Sequence, residues 1–124
     1  MGKERRKHPR FFAEDNTLVA LKNGFNRIGK VRDIGLGGLS FEHIYKETFN
    51  QECLQQLTLW INDFRLTKIP CRIVYDISLQ IPSEYDSLTI QLIPRRCGIE
   101  FESLTDHQIA QLDFFLKTYT HKES

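Results

Sequence analysis

Nowhere does the chain run to about 18 consecutive apolar residues, and no apolar segment follows the charged residues at its start, so neither a membrane span nor an export leader is expected. Its three cysteines, Cys53, Cys71 and Cys97, form no Cys-x-x-Cys pair. An odd, widely spaced set reads as reduced thiols in a cytoplasmic protein, used as small apolar core residues. Charge of one sign is missing too: 17 Lys and Arg against 16 Asp and Glu leave a formal net charge of +1, with no global field to draw a polyanion. There is no internal repeat and no low-complexity stretch, which removes solenoids and linkers. No activated nucleophile, paired acid and base or P-loop signature is present, so no enzyme is expected. His43, His107 and His121 have no second ligand at metal spacing, which leaves no metal site and no cofactor.

What is present is an ordinary globular composition, 40% apolar and 27% charged with nine Phe, in 124 residues, enough for one domain with its own core. Residues 17–22 are β-rich, Asn23-Gly24 signals a turn, and residues 27–34 return as a second strand. Leu39 and Phe41 alternate with Ser40 and Glu42 as a third strand. Leu57, Leu59 and Ile61 alternate before the tight turn Asn62-Asp63 leads into Phe64-Arg65-Leu66. Apolar positions then slip from even (Phe64, Leu66) to odd numbers (Ile69, Cys71, Ile73, Tyr75), which predicts a bulge near Lys68 and Pro70. Ile77, Leu79 and Ile81, then Leu88, Ile90 and Leu92, then Ile99 and Phe101 continue the pattern. Residues 45–56 lack alternation and are assigned a short helix. Thr105 and Gln108 form a capping box, with Leu104 and Ile109 as its staple, for a helix from Asp106 whose apolar face is Ile109, Leu112, Phe115, Leu116 and Tyr119. Six or seven short strands and one amphipathic helix describe a mainly β antiparallel barrel with the helix over an open end.

Two segments carry chemistry. Arg5-Arg6-Lys7-His8-Pro9-Arg10 offers three guanidinium forks suited to phosphate oxygens and the O6/N7 edge of guanine. Asp33-Ile34-Gly35-Leu36-Gly37-Gly38 offers one carboxylate, an acceptor for guanine's N1 and N2 donors, in a glycine turn that lets backbone approach a flat base. Together they describe a guanine-and-phosphate binder. His8 reads as a spacer, Arg95-Arg96 as a solvated pair, and Trp60 as a residue of the outer face.

Arg6-x-x-x-Arg10, then Asp33-x-Gly35-x-x-Gly38, then Cys97-Gly98-Ile99-Glu100-Phe101 leading into Leu104-Thr105 and a helix, resemble the PilZ domain family over nearly the whole chain. The resemblance implies a six- to seven-stranded antiparallel PilZ-type β-barrel with a C-terminal helix over residues 13–124, and a flexible basic arm at 1–12. It implies a bacterial, cytoplasmic receptor for cyclic di-GMP, taken as one molecule or a stacked pair. Arg6 and Arg10 match the family's phosphate- and guanine-gripping arginines, with Arg5 assisting. Asp33 and Gly38 match the ends of its [D/N]xSxxG motif. Gly35 stands where the family has Ser, a lost hydrogen bond worth ~1 kcal/mol, so up to about tenfold weaker affinity and a gain on Gly35→Ser are expected. Arg6, Arg10 and Asp33 are all placed in exposed loops. The receptor would relay ligand state to an unidentified effector protein controlling motility, attachment or polysaccharide output, with neither a nucleic acid polymer nor a membrane as partner, as a monomer or weak dimer. The alternative is a degenerate PilZ-like adaptor working through protein contacts without ligand.

Overall fold

Val19 and Leu21, Leu39 and Phe41, and Leu57, Leu59 and Ile61 are all buried, the period-2 signature of strands with one face on a core. A computed structural model describes residues 9–22, 26–44, 55–79 and 94–122. Through them the chain forms β1 (Phe11–Ala13), β2 (Leu18–Lys22), β3 (Asn26–Ile34), β4 (Gly38–His43), β5 (Gln55–Ile61), β6 (Phe64–Ser78), β7 (Arg95–Phe101), α1 (Asp106–Tyr119) and β8 (Thr120–Lys122). The sheet runs β2-β5-β6-β7-β4-β3-β1-β8, and β2 also pairs with β3. That last pairing closes six antiparallel strands into a barrel and removes their free edges. β3 makes the closure possible by dividing one edge: residues 26–30 pair with β2, and Asp33 and Ile34 pair with β1. β1 in turn carries β8, so Phe11 and Phe12, expected in the basic arm, lie in the sheet.

Helix α1 starts at the expected capping box, with Gln108 N donating to Thr105 Oγ1 at 3.1 Å and Thr105 N donating to Gln108 Oε1 at 3.0 Å. Leu112, Phe115 and Leu116 enter the barrel core. Phe64, next to the Asn62-Asp63 turn, packs its ring against Phe115 at 5.5 Å and Tyr119 at 5.8 Å. The helix therefore covers the barrel end that carries the β5–β6 hairpin. Ile109 departs from the expected apolar face and is 42% exposed.

Three irregularities aim side chains. In β6, Thr67 and Lys68 stand opposite Thr58, with Lys68 at φ 57°, the bulge expected from the change of phase. Arg32 is an extra residue between the pairs Val31–Phe41 and Asp33–Ser40. Val74 is an extra residue between Ile73–Ile99 and Tyr75–Gly98. The last two correct the expected alternation. Tyr75 and Ile77 lie outside the barrel, 36% and 51% exposed, because the bulge at Val74 reverses the alternation that buries Ile73. Gln55 and Gln56, assigned to a helix, open β5. The rest of that assignment (residues 45–54), the run from 80 to 93 and Cys53 lie outside the described residues.

Candidate functional site

Val31 is buried, so simple alternation would turn Asp33 into the barrel as well. The bulge at Arg32 turns it out, beside Ser40 on β4. There Ser40 Oγ donates to Asp33 Oδ2 at 2.9 Å and Arg10 Nη1 donates to Asp33 Oδ1 at 2.5 Å. The Arg10 and Asp33 side chains are only 16% and 20% exposed. Asp33 is thus a strand residue in a half-sheltered ion pair, a correction to its placement in an exposed loop. Each carboxylate oxygen keeps a further lone pair, so the pair can still accept from a ligand's N–H groups.

The turn after β3 is drawn tight by Gly35 N donating to Gly38 O at 2.9 Å. A Cβ on Gly35 would lie 2.4 Å from the Pro9 carbonyl oxygen and 3.2 Å from Arg10 Cδ. Glycine here is what lets the chain before β1 lie across the turn and deliver Arg10 to Asp33. A Cβ on Gly38 would lie 2.0 Å from the Ile99 carbonyl oxygen, so that glycine admits β7 against β4. The structure thus gathers Arg10, Asp33, Gly35 and Gly38 into one site. Arg5 and Arg6, with His8, lie outside the described residues. Beside the site a cavity of about 350 Å³ is lined by Pro9, Phe11 and Leu36 and by Asp113, Leu116 and Lys117 of α1, so the helix shares a wall with the turn.

At the other end of β4 the structure holds a cluster that motif reading missed. His43 Nε2 lies 2.9 Å from Asp76 Oδ1, both side chains fully buried. Arg95 Nε donates to the same carboxylate at 3.2 Å, Arg95 Nη2 to the Asp76 carbonyl at 3.1 Å and Arg95 Nη1 to Ser78 Oγ at 3.0 Å. Arg96 Nη2 and Arg32 Nη1 both donate to Glu42 Oε2, at 3.1 and 2.8 Å. Arg95 and Arg96 are therefore bound into the sheet rather than solvated. The signal was the bulge itself: with Val74 extra, Asp76 takes the inward position that Tyr75 was expected to hold.

Burial, with Glu102 nearby, raises the Cys71 thiol to about 12. Burial, then Asp76 and Cys71, pushes Cys97 higher still, with Arg95 pulling the other way. Both are core residues, as expected. Among the described residues no group of three or more His, Cys, Asp or Glu is placed to hold a metal ion, and no helix is long and apolar enough to cross a membrane.

The barrel with its closing helix, and the arginine laid against a carboxylate and glycine turn, define a class. The PilZ domain model matches residues 4–117, and the chain belongs to the PilZ domain family. Solved structures share the fold. The PilZ domain of YcgR from Escherichia coli, with c-di-GMP, superposes with a TM-score of 0.75 at 12% identity, over 94% of this chain and 92% of that one. The apo structure of MrkH from K. pneumonia gives 0.72 at 15% identity, over 96% and 51%. The inhibitor of motility MotI/DgrA from Bacillus subtilis gives 0.63 at 13% identity, over 93% and 51%. The chain thus spans nearly all of the YcgR domain and about half the length of MrkH and MotI/DgrA. Comparison with curated protein sequences gives no match.

Proposed function

We propose that this chain is a cyclic di-GMP receptor with no chemistry of its own, in which Arg10, Asp33 and the Gly35–Gly38 turn take guanine and phosphate while Arg5 and Arg6 close over the ligand. The observation that carries this reading is the Arg10–Asp33 pair seated on a glycine turn, in a chain of the PilZ domain family. Solved structures of YcgR and MrkH with c-di-GMP support it as fold relatives. Two phosphates draw the guanidinium groups of Arg5, Arg6 and Arg10 together, which mutual repulsion opposes without ligand. The residues ahead of Pro9 then act as the arm that closes on the ligand, with Phe11 and Phe12 fixed in β1, in the cytoplasm of a bacterium. The shared cavity offers a path to a partner: a shift of Pro9 or Leu36 bears on Leu116 and Lys117, changing the surface of α1 that an effector protein would read.

One observation favours the adaptor reading. Both Asp33 oxygens already have partners and the Pro9 carbonyl lies over Gly35, so the site is closed upon itself. Isothermal titration with cyclic di-GMP decides between them, with GTP and cyclic di-AMP as controls. Selective micromolar or tighter binding, lost in Arg10→Ala, supports the receptor. Absence of heat, with no thermal shift, leaves the adaptor.

A further inference from the structure

The two outward-turning bulges have a joint result. The register places Asp33 opposite Ser40, Ser40 opposite Gly98, and Gly98 opposite Tyr75, one residue from each of β3, β4, β7 and β6. Leu39 and Phe41 on either side of Ser40 are buried, so this row lies on the outer face of the barrel. Asp33 follows buried Val31 by two residues and Tyr75 follows buried Ile73 by two. Each would point inward but for the extra residue, Arg32 or Val74. Two separate distortions of the sheet bring a carboxylate and an aromatic ring into the same row.

Gly98 decides how the ring lies. A Cβ at that position would fall 2.2 Å from Tyr75 Cε2 and 2.6 Å from Cδ2 and Cζ. The phenol therefore occupies the space of the missing side chain, lying across β7 toward Ser40 instead of standing off the sheet, and it remains 36% exposed. With strands about 4.8 Å apart, Gly98 is two strand spacings, roughly 10 Å, from Asp33. That span accommodates a purine whose polar edge meets the carboxylate, and an open aromatic face at its far side is a stacking surface.

We infer that Tyr75 is a base-stacking residue of the ligand site, with Gly98 holding its ring down against the sheet. The inference rests on the receptor reading given above. It extends the site from Arg10, Asp33 and the glycine turn across β4 and β7 to β6, and it makes the affinity depend on a residue outside both motifs.

The test is isothermal titration of cyclic di-GMP into the wild type, Arg10→Ala, Tyr75→Ala and Tyr75→Phe. Tyr75→Ala is expected to weaken binding by at least about tenfold, and Tyr75→Phe, which keeps the ring, to stay within about threefold of wild type. A Tyr75→Trp, Trp60→Phe protein carries a single indole, placed in the site, and its fluorescence should change on saturation with ligand. Wild-type affinity in Tyr75→Ala and a silent indole, with binding still lost in Arg10→Ala, would overturn the stacking role and leave the receptor intact. A wild type that does not bind overturns both. Should Tyr75→Ala fail to fold, the tryptophan protein decides alone: a fluorescence change on saturation supports stacking, and a silent indole in a protein that still binds overturns it.

Discussion

Arg10 and Asp33, 23 residues apart in sequence, share a charge-assisted hydrogen bond of 2.5 Å from Nη1 to Oδ1, with Ser40 on the other carboxylate oxygen. The pair is sheltered but reaches solvent, so its contribution to stability should be modest. Arg10→Ala and Asp33→Ala are each expected to cost about 1–2 kcal/mol in urea denaturation, with a coupling of about 1 kcal/mol in the double-mutant cycle. Each is expected to weaken cyclic di-GMP binding by tenfold or more. A coupling near zero would mean that the two residues act independently.

Gly35→Ser reverses the expectation drawn from the family motif. The family's serine would bring a hydroxyl toward the base, but any Cβ here meets the Pro9 carbonyl oxygen at 2.4 Å. Both Gly35→Ala and Gly35→Ser should lift Pro9 and draw Arg10 away from Asp33, costing about 1–3 kcal/mol of stability and weakening ligand binding. Amide chemical shifts of Asp33 and Gly35 report the displacement directly. Tighter binding by Gly35→Ser would show that the chain before β1 moves aside freely.

Asp76→Ala should destabilise the barrel more than any substitution at the ligand site. It leaves His43 and Arg95 facing a cavity where a buried carboxylate had bound both, a loss of about 3–5 kcal/mol. Because Asp76 faces the interior while its neighbour Tyr75 and the row from Asp33 to Gly98 face outward, a folded Asp76→Ala protein that keeps the register of β6 should keep its ligand affinity. Chemical denaturation and titration of the same sample check both halves.

The two buried thiols set the alkaline limit. Folding raises both above the ordinary 9.0, Cys71 to about 12, so the folded chain holds protons that the unfolded chain releases. Their contribution is complete below about pH 9 and is lost as pH rises from there toward 12, with a slope approaching about 1.4 kcal/mol per pH unit for each thiol. Urea midpoints at pH 8, 9 and 10 should fall, and fall less steeply in Cys71→Ala, Cys97→Ala. In native protein at pH 8 neither thiol should react with a disulfide reagent that reaches both after unfolding.

Much of the barrel was legible because its strands obey period-2 alternation and its helix carries a local start signal, Thr105 with Gln108. The bulge near Lys68 was legible as well, since it moves apolar residues from even to odd positions. The bulges at Arg32 and Val74 were not. Each inserts one residue where the neighbours on both sides remain β-rich, and the choice of Asp76 over Tyr75 for the interior depends on His43 and Arg95 arriving from other strands. Arg10, Asp33 and the glycines were readable as a set from their types and order. That Gly35 serves to seat Pro9 was not, because the contact joins segments 26 residues apart.

Strand β1 is held on one side by β3 and on the other by β8, so its first residue, Phe11, is a fixed anchor. Arg5 and Arg6 are six and five residues from that anchor, and a fully extended chain covers at most about 3.6 Å per residue. Whatever path the intervening residues take, neither arginine strays more than about 22 Å from Phe11. One guanidinium confined to such a volume corresponds to an effective concentration on the order of 10 mM. On the receptor reading proposed above, a ligand resting on Arg10 and Asp33 would meet its remaining cations as a tethered, intramolecular reaction, governed by chain length as well as by charge.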